Sequence, residues 1–133
     1  MNKFIIAYFS ALVPLLVIDG IWLTLMSKRF YAPLLGNLLA KNIQIAPVIL
    51  FYVIYAVGIT IFIVLPALQD NYSALKIMSL GGLLGLVAYG AYDFTNQATL
   101  QNWSTLLTVV DLCWGTTVTA LTAIIATKIT RFF

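Results

Sequence analysis

Long apolar runs broken by short polar clusters give this chain its pattern. Four runs, at about residues 4–26, 45–68, 77–100 and 104–127, are each long enough to cross a hydrocarbon core of about 30 Å as a helix. Lys3 precedes the first and Lys28-Arg29 follows it. Gln69 to Lys76 separates the second from the third, Gln101-Asn102-Trp103 the third from the fourth, and Lys128 and Arg131 stand near the end. Between the first two runs lies a stretch too short and too polar to span. There Phe30, Tyr31, Leu34, Leu35, Leu38 and Leu39 recur at helical spacing, while Arg29, Asn37 and Lys41 fall on other faces. This predicts a short amphipathic helix in the membrane interface over about residues 29–41, with Pro33 in its first turn. A plain connector carrying hydrophobic residues is the alternative. The whole pattern predicts an all-α fold: a four-helix transmembrane bundle over residues 1–133, a single integral membrane domain, with the interfacial helix between spans 1 and 2. Pro14 is expected to kink the first span or loosen its ladder. Gly81-x-x-x-Gly85 has the close-packing spacing of membrane helices, with room for a ligand as the other reading.

Composition narrows the chemistry. The chain is 62% apolar and 8% charged, against about 25% charge in soluble domains, so too little surface could be solvated. The first run holds an acid and lacks a small-x-small cleavage site, which reads as a retained span rather than a signal peptide. With one cysteine, no histidine and no glutamate, Cys/His zinc sites, histidine-ligated haem and histidine-based triads are excluded, and no metal or cofactor is expected. Cys113, without a histidine partner, reads as a packed thiol. The net charge of +3 comes from Lys and Arg at the ends of spans, which suits headgroup anchoring; no basic stripe follows a phosphate backbone, so no nucleic-acid partner is expected. Asn71-Tyr-Ser73 and Asn102-Trp-Ser104 match a glycosylation acceptor by coincidence of spacing.

The polar residues inside the spans are the exception to the pattern. With a rise of about 1.5 Å per residue, Asp19 lies about four residues past the middle of the first span, Asp93 a similar distance past the middle of the third, and Asp111 about four before the middle of the fourth. Alternating topology then brings all three acids to one level, roughly 6 Å off the midplane, with Tyr52, Tyr55, Tyr92 and Asn96 in the same half. No Lys or Arg lies within a span. An ionised acid in hydrocarbon costs several kcal/mol, so each Asp is expected to face the interior and to be neutral, hydrogen-bonded or bound to something positive. Helical phase agrees: Gly81, Gly85, Tyr89, Tyr92, Asp93 and Asn96 form one stripe, and Ser104, Thr108, Asp111, Gly115, Thr119 and Thr122 another. Asp19-x-x-Trp22 and Asp111-x-x-Trp114 repeat one spacing in helices of opposite direction, the trace of an inverted duplication or a coincidence. An indole beside a carboxyl offers it an N–H or an apolar wall.

Asp19-x-x-Trp22-Leu23, Phe51-Tyr52-x-x-Tyr55-x-x-Gly58, Gly85-x-x-x-Tyr89-x-x-Tyr92-Asp93-x-x-Asn96-x-x-Thr99, Trp103 and Asp111-x-x-Trp114-Gly115 together resemble the bacterial family catalogued as domain of unknown function 2177. The resemblance runs over nearly the whole chain. It implies a small protein of about four helices in a bacterial cytoplasmic (inner) membrane, and it brings no catalytic assignment.

Three functions fit these residues. The first is a membrane-embedded binding protein or enzyme for a lipid or isoprenoid-like apolar molecule. Asp93, Asp111 and Asp19 would be its proton donors or acceptors, and Tyr52, Tyr55, Tyr89, Tyr92, Asn96, Trp22 and Trp114 its ligand-binding residues. Asp93 ranks first among the acids because Tyr89, Tyr92 and Asn96 surround it on its own helix. The second is a proton- or cation-coupled transporter working as an oligomer. The third is a structural or accessory subunit whose polar groups hold helix to helix. A homodimer or another membrane protein is a further expected partner. Lys3, Lys76, Lys128 and Arg131 against Lys28, Arg29 and Lys41 lean towards both termini in the cytoplasm, with dual topology as the alternative.

Overall fold

The computed structural model describes residues 2–133. Four helices, all long and apolar enough to cross a membrane, carry most of the chain: α1 Lys3–Leu38, α2 Ile45–Gln69, α3 Ala74–Thr99 and α4 Thr105–Phe132. Three start on a side-chain cap. Asn2 Oδ1 accepts from the Phe4 N–H at 3.0 Å, Ser73 Oγ from Lys76 N–H at 3.2 Å and Ser104 Oγ from Leu107 N–H at 3.3 Å. The two tight connectors turn on Asn71 (φ 50°) and Asn102 (φ 61°), a left-handed conformation that asparagine tolerates better than most residues. Both asparagines of the Asn-x-Ser triplets therefore serve turns.

The expected separate interfacial helix over residues 29–41 does not form. α1 instead continues past Lys28-Arg29 through a π-helical turn at Ser27–Tyr31, in which Ala32 N–H bonds to the Ser27 carbonyl five residues back. It then runs on through Ala32–Leu35 and ends in a 3₁₀ turn at Gly36–Leu38. No separate helix starts there because the helical backbone runs on through the π turn: the charged side chains stay exposed and Gly36, at φ +51°, opens the closing 3₁₀ turn. The wider turn also changes which residues face the bundle. At about 100° per residue, Tyr31 would stand about 120° around the helix from Asp19; the extra residue of the π turn takes back about 100° and leaves the two within about 20°. α2 holds a second π turn at Thr60–Val64, closed by Leu65 N–H on the Thr60 carbonyl.

The two halves of the bundle pack differently. In the half nearer the termini, Ala7, Ala11 and Leu15 of α1 meet Ile59, Ile63, Val64 and Ala67 of α2, Ile77 of α3, and Val118, Ala123 and Ala126 of α4 in one closed apolar core. α3 and α4 form the closest helix pair, drawn together by glycine. A Cβ on Gly81 would stand 3.0 Å from Ala120 Cα, and one on Gly85 would fall inside the Gly115 carbonyl. The Gly81/Gly85 spacing therefore serves close packing. In the other half, the first part of α2 (Ile45–Ile59) packs on α1 and stands off from α3, which its second part rejoins. The bundle is shut at one end and split at the other.

Most threonines are satisfied within their own helix. Thr116, Thr117, Thr119, Thr127 and Thr130 each donate to the carbonyl four residues back at 2.7–2.8 Å. Cys113, expected to be packed, is exposed on the outer face of α4.

Candidate functional site

A cavity of about 700 Å³ occupies the split half, within the range of roughly 300–1,000 Å³ usual for ligand pockets. α1 contributes Asp19, Trp22, Leu23 and Tyr31 to its wall; α2 contributes Pro47, Val48, Phe51 and Tyr52; α3 contributes Ala88, Tyr89 and Tyr92; α4 contributes Asp111 and Trp114. Seven of these thirteen are aromatic, two are acids and none is basic. Of these, Pro47, Val48, Phe51 and Tyr92 are exposed. They mark an opening between α2 and α3, where the first half of α2 leaves the bundle.

Its polar end is a hydrogen-bonded frame joining three helices. Asp19, 5% exposed, accepts from the Trp114 indole N–H at 2.8 Å through Oδ1 and from the Tyr52 hydroxyl at 2.5 Å through Oδ2. Asp111, 7% exposed, accepts from the Tyr31 hydroxyl at 2.5 Å, and that hydroxyl in turn accepts from the Trp22 indole at 3.0 Å. Tyr31 reaches down to Asp111 because helical side chains lean towards the N-terminus of their helix. The Trp22 and Trp114 rings stack at 4.2 Å with 7° between planes. The two Asp-x-x-Trp units are exchanged as a result. The indole of the second serves the acid of the first, and the indole of the first reaches the acid of the second through Tyr31.

Asp93 lies behind this frame. It is fully buried between α3 and α4, does not line the cavity, and neither of its oxygens meets an N–H or O–H donor. Its polar neighbour is the Asp111 carboxyl. Asp111 lines the cavity and so links the buried Asp93 to it.

The other expected site residues divide. Tyr89 lines the cavity with its ring seated on Gly115, where a Cβ would enter the ring. Tyr92 stands at the mouth, 55% exposed, edge-on to Trp103 at 5.9 Å. Tyr55 is outside the lining; its hydroxyl pairs with Thr119 Oγ1 at 2.6 Å and its ring lies 6.5 Å from that of Tyr89. Asn96 is half-buried beside Tyr92 and also outside the lining. No spacing in the chain places Tyr31 with the acids, since only the π turn brings it into phase. Among the described residues no three acidic or sulfur side chains gather closely enough to hold a metal ion.

Tyr31→Phe is expected to cost about 1–2 kcal/mol of stability, because it leaves both the Asp111 oxygen and the Trp22 indole without their partner. The midpoint of unfolding in mixed micelles checks this, and a change below about 0.3 kcal/mol would mean that the hydroxyl holds nothing in place.

No curated protein and no solved structure matches the chain. The family model described as predicted membrane protein (DUF2177) matches residues 4–128, nearly the whole length, and the four apolar helices agree with that description: the protein belongs to this family of multi-span membrane proteins.

Proposed function

We propose that this protein binds a single apolar or amphiphilic molecule taken from the bilayer, with the chain of that molecule in the cavity and its polar end at the Asp19/Asp111 frame. The observation that carries this is the lateral opening between α2 and α3, with exposed Val48, Phe51 and Tyr92 outside and the acids inside. A helix bundle held only by polar contacts gains nothing from a split half. Apolar walls with a few convergent polar groups are the usual form of a small-molecule site. Asp111 and Asp93 are the proton-exchanging groups, and Tyr89 and Tyr92 orient the ligand at the entrance. The site half lies in the outer leaflet of the cytoplasmic membrane, with both termini on the cytoplasmic side. A second copy or another membrane protein against α2 and α3 would guard the opening.

Gentle extraction followed by mass spectrometry of the copurifying molecules tests this. Wild type is expected to carry a specific lipid or apolar molecule at near one per chain, and Val48→Trp, which narrows the entrance without touching an acid, is expected to lose most of it. Equal contents in the two proteins would reduce the polar frame to a device that joins helices.

A further inference from the structure

We infer that the ligand of this cavity is a lipophilic organic cation, a molecule with a diffuse positive charge surrounded by apolar groups. The inference rests on the binding site proposed above and names the chemistry of its occupant.

Charge is the first argument. Asp19 and Asp111 line the cavity, Asp93 stands directly behind Asp111, and none of the thirteen lining residues is basic. The protein sets no basic side chain against these acids within the cavity. Charged groups inside a membrane are ordinarily paired, and a ligand cation would supply the missing partner. An anionic headgroup such as a phosphate would instead be set against two carboxylates.

The walls supply the second argument, independent of the acids. The stacked indoles of Trp22 and Trp114, with the rings of Tyr89 and Tyr92, bound the space beside the carboxylates. Aromatic faces attract cations, and a desolvated site strengthens that attraction, which is the physical basis of aromatic cages for quaternary ammonium groups. The ion's size follows from the same geometry. A compact metal ion needs its ligands drawn together, and the acids are not so gathered among the described residues. A bulky cation needs only acids and ring faces around a cavity of about 700 Å³.

The test uses two ions of the same shape and opposite charge. Tetraphenylphosphonium and tetraphenylborate are titrated separately into the full-length protein in nanodiscs of uncharged-surface lipid, with quenching of tryptophan fluorescence as the readout. The phosphonium is expected to bind at least about tenfold more tightly than the borate. Asp111→Asn should lose about tenfold of the phosphonium affinity, while Asp70→Asn, in the α2–α3 connector, should leave it unchanged. Asp19→Asn serves as a second charge-removing variant should Asp111→Asn fold poorly. Equal binding of both ions, or tighter binding of the borate, would overturn the cation assignment while leaving an apolar site in place. Saturable quenching by neither ion would overturn the site itself. Mass spectrometry of the extracted wild type then tells the source: an aminolipid would make the cation a membrane headgroup, and a small ammonium compound would make it a free solute.

Discussion

Gly85→Ala is expected to destabilise the bundle by about 3 kcal/mol or more, at the upper end for overpacking. The new methyl would fall inside the Gly115 carbonyl and 2.7 Å from Thr119 Oγ1. Neither obstacle can rotate away. One is backbone, and the other is held by Tyr55 and by the Gly115 carbonyl. α3 and α4 would have to part, loosening the Tyr55–Thr119 bond and moving Tyr89 off Gly115. Gly20→Ala supplies the contrast. Nothing lies within 4 Å of a Cβ there, so the exchange should stabilise α1 by about 0.5–1 kcal/mol. Unfolding in mixed micelles measures both, and a mild effect at Gly85 would mean that the α3–α4 contact is looser than this packing requires.

Exchanging an acid for its amide should act in opposite directions at two of the three acids. At Asp93 both oxygens are buried without a donor, beside the Asp111 carboxyl. Asp93→Asn brings an N–H₂ that can donate to Asp111, so stability should hold or rise by about 1 kcal/mol. At Asp19 both oxygens already accept, one from Trp114 and one from Tyr52. An amide can accept on one side only, so Asp19→Asn should cost about 2 kcal/mol. Ligand retention should nevertheless fall in Asp93→Asn, because the exchange removes the titratable group while leaving the fold in place. Equal destabilisation by both exchanges would show that Asp93 has a donor and serves as ordinary helix glue.

The apolar runs predict four long helices because hydrocarbon enforces helical pairing of the backbone, and no neighbour can override that. The stripe on α4 and the repeated Asp-x-x-Trp spacing also pointed at the residues that meet: Asp19, Trp22, Asp111 and Trp114. Lys28-Arg29 resembles the end of a span because charge usually ends one. Here the side chains leave the bundle and the backbone continues through a π turn, whose extra residue no hydrophobic pattern announces. Tyr31 was hidden for that reason. Asp93 had the densest polar support on its own helix, yet glycine packing presses its face of α3 against α4 and leaves the open wall to Tyr89 and Tyr92. Helical phase names the face; which neighbour covers it depends on the departure of α2, set by packing across the whole bundle.

The most direct test of a lipid-side binding cavity is NMR of the perdeuterated, amide-protonated protein in protonated-lipid nanodiscs. Three tryptophans give three indole N–H signals, with Trp103 outside the cavity as a reference. Cross-peaks from acyl-chain or ligand methylene protons to the Trp22 and Trp114 indoles are the predicted result, and they should fade in Val48→Trp. Cross-peaks to water alone at those two indoles would contradict the account, because the split half would then be a hydrated cleft rather than a site for an apolar molecule.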